Sequence, residues 1–153
     1  MERNIDFKIK HFTELNINEF YDIVKARYEV FVCEQMITCE NDFDDKDKEC
    51  YHLSVYDEDT LIGYCRILKG GISYNEPSIG RVLVIKEYRK KNIAQKMMKI
   101  AMDFIINDLG EDKITLSSQL YARGLYESVG FKVISDIYEE AEIPHIKMSF
   151  SKK

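Results

Sequence analysis

With 153 residues, 45% of them apolar and 32% charged, the chain is long enough to bury one core and too short for two ordinary domains. Its 27 acids and 22 bases leave a net charge of −5 and a pI near 5.3, which excludes a general polyanion or nucleic-acid binder. Any anionic ligand must be met by a local basic patch. A single domain over 1–153 is expected, with no nucleic-acid and no membrane partner. The first ten residues lack a basic-then-apolar leader, and no apolar run approaches the roughly 18 residues of a spanning helix, which predicts a cytoplasmic protein.

Residues 7–12 read as a first strand. A helix follows, capped by Asn16 with Glu19 three residues on, and Phe20, Val24, Tyr28 and Phe31 share one of its faces. Cys33, Cys39, Cys50 and Cys65 form no C-x-x-C pair, so free thiols are expected, with no zinc site and no other metal. Residues 34–49 hold seven acids and two lysines. Without a glycine in 40–52 and without the one-three-five-twelve spacing they do not make a calcium loop. They read either as solvated loop charge or as an acidic lip that attracts a cationic amine.

Residues 51–56 and 61–69 alternate in polarity around Asp57-Glu58-Asp59-Thr60 and predict an antiparallel hairpin. A third strand spans 79–85. Polar residues 86–92 lead into a helix over 93–109 with Ile93, Met97, Ile100 and Phe104 on one stripe and Gly110 to stop it. With a short buried strand at 114–116 this makes a right-handed β-α-β crossover whose strands are parallel. A helix over 120–129 closed by Gly130, and strands near 131–135 and 145–150, complete an α/β domain with a mixed sheet.

Six bases and one acid between Lys86 and Lys99 give a local balance of +5 at a strand-to-helix junction. A helix N-terminus offers unpaired N–H groups and a partial positive charge, so this is where a phosphate-bearing ligand fits, although a Lys-rich helix start also serves as plain solvated surface. Asn92 tolerates the positive φ that such a turn needs, and Ala94 permits close approach. Neither G-x-x-x-x-G-K-[ST] nor G-x-G-x-x-G occurs, against nucleotide hydrolysis and dinucleotide binding.

Arg89-Lys90-Lys91-Asn92-Ile93-Ala94, after the strand Val82-Leu83-Val84, resembles the Q/R-x-x-G-x-G/A acyl-CoA pyrophosphate loop of the GNAT N-acetyltransferases, with Asn92 in place of the first glycine. Tyr126-Glu127-Ser128-Val129-Gly130-Phe131 is similar to that family's Y-x-x-x-G-F. The runs Arg27 to Gln35, Tyr64 to Leu68, Ile79 to Val82, and Tyr138-Glu139-Glu140 through Ile143-Pro144-His145-Ile146 resemble its ElaA-like branch. The resemblance covers most of the chain.

It implies a GNAT fold, with a central sheet of about six to seven strands flanked by helices and a splayed parallel strand pair forming the acyl-CoA cleft. It further implies acetyl-CoA as acyl donor, bound along Val82, Leu83 and Val84 and by Arg89, Lys90, Lys91, Asn92, Ile93 and Ala94, with Gln119 near the pantetheine arm. An N-acetyltransferase acting on a small amine or a peptide amine by direct attack in a ternary complex follows. Tyr126 is the candidate acid for the leaving sulfur, or a core aromatic.

Strand 79–85 carries no carboxylate, so the base is sought among Glu34, His52, His145 and a water chain, with Glu34 and His145 as the catalytic candidates. Glu34 and His52 are also substrate-binding candidates. Arg66 and Arg81 either bind an anionic group on the substrate or pair with the acidic loop. An acyl-homoserine-lactone-synthase-like acyltransferase and a non-catalytic CoA-binding regulator are the alternatives, and a homodimer is the family-based expectation for assembly.

Overall fold

The structure, a computed structural model, describes residues 4–152. The first three residues of the leader reading and the extreme ends of the expected domain lie outside them. Strands β1 (Ile5–His11), β2 (Tyr51–Asp57), β3 (Thr60–Leu68) and β4 (Ser78–Val84) form one antiparallel sheet in that order. A second antiparallel sheet contains β5 (Lys113–Gln119), β6 (Lys132–Val133), β7 (Tyr138–Glu140) and β8 (Ile143–Ser151), with β8 pairing to all three others.

The expected α/β class and splayed strand pair are found, and the expected single mixed sheet is divided where that pair opens. Thr115 N–H donates to the Pro77 carbonyl at 3.0 Å, joining the N-terminal ends of β4 and β5. Beyond that point the two edges part.

Sheet β1–β4 is a middle layer. β2 and β3 are buried along nearly their whole length rather than on alternate residues, because a helix covers each face. Leu53, Val55, Cys65 and Ile67 pack in one core with α2 (Ile93–Asp103), while Tyr56, Leu61 and Tyr64 pack in another with α1 (Ile17–Arg27). Asn16 and Glu19 make the expected reciprocal cap of α1, with Glu19 N–H donating to Asn16 Oδ1 at 2.8 Å and Asn16 N–H to Glu19 Oε1 at 2.9 Å.

The buried face of α1 is not the expected Phe20–Val24–Tyr28–Phe31 stripe. It is Ile23, Ala26, Arg27 and Val30, turned by about 105° at 100° per residue, and Tyr28 is exposed. An arginine in the interior is what hides this face from an apolar count.

α2 is nearer expectation. Met97, Met98, Ala101, Met102 and Ile105 are buried, with Ile93, Ile100 and Phe104 packed beside them. A π-helical turn over Phe104–Asp108 extends it to Gly110, whose φ of 70° turns the chain out of the helix. The helix after β5 is shorter than expected, a 3-10 turn over Leu120–Ala122 leading into α3 (Arg123–Ser128). β5 exceeds the expected 114–116 because it continues through polar Ser117-Ser118-Gln119, paired with β8. β7 and its two-residue turn to β8 were not expected. Among the described residues no helix is long and apolar enough to cross a membrane.

Candidate active site

From Val84 the chain passes through a 3-10 turn, Lys86–Tyr88, into a loop where Lys90 and Asn92 both adopt φ of 63°. Asn92 occupies the N-cap of α2 without making a side-chain cap bond, so the first helical N–H groups remain for a ligand. This is the conformation for which asparagine is the best substitute for glycine. The basic patch is thinner at the loop than the charge count implies. Lys91 lies 5.5 Å from the Tyr88 ring centre and Lys96 lies 5.2 Å from that of Phe7. A depression of about 340 Å³ borders this turn, lined by Lys90, Asn92, Ile93, Ala94 and Gln95 and by Gly124 and Ser128 of α3.

The parting of β4 and β5 opens a second cavity of about 310 Å³, walled by residues 79–84 of β4 and by Ser117 and Gln119 of β5. Val84, Arg89, Ala94 and Leu125 line both spaces, so they form one continuous groove. Ile85 N–H donates to Ile62 O at 2.8 Å, which by strand alternation turns the main chain of Leu83 and Ile85 toward β3 and that of Val82 and Val84 toward the groove. Arg89 Nε, donating to Val84 O at 2.8 Å, comes from that open side.

Further back, the β3–β4 register slips between Tyr64 and Arg66, and Arg81 bulges out at φ 51°. A left-handed non-glycine residue costs about 1–2 kcal/mol. Here the Arg81 guanidinium is anchored, with Nε donating to Asp42 Oδ1 at 2.9 Å and a terminal nitrogen to Asp42 O at 3.0 Å.

Tyr126 on α3 lines the groove and is 6% exposed, with its ring edge-on to Phe131 at 6.1 Å. It is thus both a core aromatic and a wall of the cleft. Burial first, then Cys65 and Tyr121, push its phenol above the ordinary value. Gln119 and His145 also line the cavity. Gln119 Nε2 donates to Gln35 Oε1 at 2.9 Å, which ties β5 to the π-helical turn Tyr28–Glu34 that prolongs α1.

Several expected site residues lie elsewhere. His52 is buried, with Nδ1 2.5 Å from the Tyr64 hydroxyl and Nε2 2.9 Å from the Asp47 carbonyl. Burial pulls its pKa down, so it is a neutral interior imidazole and not a substrate contact. Arg66 is buried and is held by Asp44 at 2.8 and 2.9 Å and by Asp47 at 3.0 Å, outside the groove lining. Its role is the acidic-loop pairing.

Glu34 is a poor base. Both of its oxygens accept from the terminal nitrogens of Arg89, one at 2.9 Å, and that pairing holds its carboxyl below the usual range. Arg81 lines the cavity but is committed to Asp42. Lys91 lines neither space.

The pairing of Arg66 and Arg81 with the acidic loop, one of the two readings of these arginines, is part of a larger network whose central member, Arg27, was not expected. Fully buried Arg27 donates to Asp47 at 2.8 Å and to Asp42 at 2.9 Å, and Asp42 and Asp47 link it to Arg81 and Arg66. Burial opposes ionisation of Asp44, but the Arg66 hydrogen bond and charge outweigh it and lower the carboxyl to about 2. The available signal was an arginine inside an amphipathic helix facing an acidic loop. Ser117 and Glu140 were also missed as cavity-lining residues. Among the described residues no His/Cys/Asp/Glu cluster can hold a metal ion.

A groove between two splayed sheets, with a helix N-terminus at one end and a buried phenol at the other, defines the acyl-CoA transferase class of α/β domains, and the comparisons agree. The Acetyltransferase (GNAT) domain matches residues 10–152, and the chain belongs to the GNAT acetyltransferase family. A UPF0039 protein of Schizosaccharomyces pombe is 37% identical over 147 residues, covering 95% of this chain and 96% of that protein. Protein ElaA of Escherichia coli K12 is 30% identical over 146 residues, covering 95% of both chains. The crystal structure of E. coli ElaA superposes with a TM-score of 0.89 at 29% identity, over 96% of this chain and 99% of that one. An acyl-CoA N-acyltransferase of Pseudomonas aeruginosa gives 0.88 at 27%, over 97% and 100%. The expected ElaA-like resemblance is therefore correct, and the chain is an acyltransferase whose family uses acyl-CoA and an acceptor.

Proposed function

We propose that the protein transfers an acetyl group from acetyl-CoA to a primary amine of a small molecule or peptide by direct attack in a ternary complex. One observation carries this reading: the groove runs from the first turn of α2, past the main-chain edge of Val82 and Val84, where Arg89 holds the Val84 carbonyl, to Tyr126. That path suits an extended ligand with a diphosphate at one end and a reactive acyl group at the other.

In this reading the N–H groups from Lys90 to Ala94 receive the diphosphate and Arg89 exchanges Glu34 for it. The β4 edge hydrogen-bonds the pantetheine, with Gln119 alongside. A lysine-like amine of pKa ~10.4 costs about 4.6 kcal/mol to deprotonate at pH 7, so a base is needed. His145 is the remaining titratable candidate that faces the groove.

A phenol is a weaker acid than a thiol by about 1.5 units in water, and burial of Tyr126 widens the gap. Its hydroxyl therefore acts mainly by hydrogen-bonding the departing thiolate, which the same burial makes more basic. Tyr126→Phe should lower kcat by about 10²–10³-fold while CoA affinity by calorimetry stays within about threefold. Wild-type protein that binds no CoA, or transfers octanoyl but never acetyl groups, refutes the reading.

A further inference from the structure

We propose that Glu140, supported by Ser117, is an ammonium-binding site on the half-exposed wall of the groove, so that the acceptor enters as a cationic amine whose proton passes to His145. The inference rests on the acyl-CoA reading of the groove and adds the side chains that hold the acceptor's ammonium group.

Four side chains from three strands meet there. Ser117 of β5 bonds to the Tyr138 hydroxyl and donates to Glu140 Oε1 at 3.0 Å. Glu140 Oε2 lies 3.8 Å from His145 Nε2, and the His145 ring stacks on Tyr138 with centroids 6.2 Å apart. His145 Nδ1 is 2.7 Å from the Ile143 carbonyl. A carbonyl only accepts, so Nδ1 carries the proton and Nε2 of the neutral ring is left as an acceptor beside the carboxylate. Ser117, Glu140 and His145 all line the same cavity as Tyr126.

The charge balance of the lining favours a cation. Its arginines are already neutralised, Arg81 by Asp42 and Arg89 by Glu34. Among the described residues no lysine or arginine pairs with Glu140, and Glu40 also lines the cavity. The backbone adds a second observation. β7 and β8 are joined by Ala141 and Glu142 alone, both left-handed at φ 53° and 61°, in a turn that favours Asn-Gly. The strained turn pairs Glu140 with Ile143, and so aims Glu140 and His145 at one point.

The step balances. The ammonium held by Glu140 gives one proton to His145 Nε2, and the free amine attacks the thioester carbon. The C–N bond forms, the C–S bond breaks, and the second nitrogen proton leaves with the thiolate as the free thiol. The imidazolium, facing Glu140, then releases its proton to solvent.

The test is calorimetry on the full chain with saturating CoA, using 2-phenylethylamine and 1,4-diaminobutane as probes and 2-phenylethanol as an uncharged control. The wild type should bind at least one amine at least tenfold more tightly than the alcohol. Glu140→Gln should lose tenfold or more of that affinity, with CoA affinity unchanged and Glu140→Asp restoring part of it. His145→Gln should keep amine binding and lose turnover. Equal binding of amine and alcohol, or amine binding indifferent to Glu140→Gln, overturns the proposal and leaves the donor reading intact. Failure of CoA itself to bind is the distinct result that removes the donor reading.

Discussion

The two arms of the groove are built in opposite ways. The donor arm is local: β4, the loop and α2 follow one another between Ser78 and Asp103, and its chemistry comes from main-chain groups at a helix start. The acceptor arm is backed by distant segments, with Arg27, Asp42, Asp47, Arg66 and Arg81 brought from α1, the acidic loop, β3 and β4 into one ion network, of which Asp42 and Arg81 reach the cavity lining. A backbone site tolerates changes of side chain, whereas an ion network requires every member. The difference predicts where each arm breaks.

The largest effect should come from Asp47→Ala. It leaves buried Arg27 and Arg66 short of a shared counter-ion and should cost about 3–5 kcal/mol, read as a lower denaturation midpoint at constant m-value. Donor-arm changes such as Lys90→Ala should leave that midpoint within about 0.5 kcal/mol.

Acid sharpens the same contrast. The Asp44 carboxyl is lowered to about 2 in the folded state, below its unfolded value of ~3.9, so its contribution is complete above about pH 4 and is lost as pH falls toward 2. Unfolding followed from pH 5 to pH 2 should show stability falling with pH, and less steeply in Asp44→Asn.

A smaller effect of opposite sign lies at the β7–β8 turn. Replacing Ala141-Glu142 by Asn-Gly should raise stability by about 1–2 kcal/mol, because both positions are left-handed and the native residues disfavour it. Thermal unfolding measures the gain.

The donor arm was readable in the sequence because its signals are contiguous: the strand over 79–85, a basic polar loop with Asn92, then the periodicity of α2. The capping box of α1 was readable for the same reason. The acceptor arm was readable only in part, as the pairing of Arg66 and Arg81 with the acidic loop. Nothing local distinguishes Arg27, buried, from Arg123, which is exposed, and the buried face of α1 was misread because one of its members is charged. β7 escaped notice because it has three residues and a turn without glycine or proline. Ser117 and Glu140 meet only through the β5–β8–β7 pairing, which follows from the fold and not from spacing. Glu34 and Arg89, each given a role of its own, turned out to neutralise one another.

The four cysteines divide along the same line. Cys50 and Cys65 are buried, and burial pushes the Cys50 thiol up to about 11 and that of Cys65 upward as well, which leaves little thiolate at neutral pH. Cys33 and Cys39 are exposed, on the stretch that contributes Val32, Gln35 and Ile37 to the groove. Alkylating dyes will therefore decorate that wall and spare the interior, giving the protein a pair of built-in attachment points that report on occupancy of the groove.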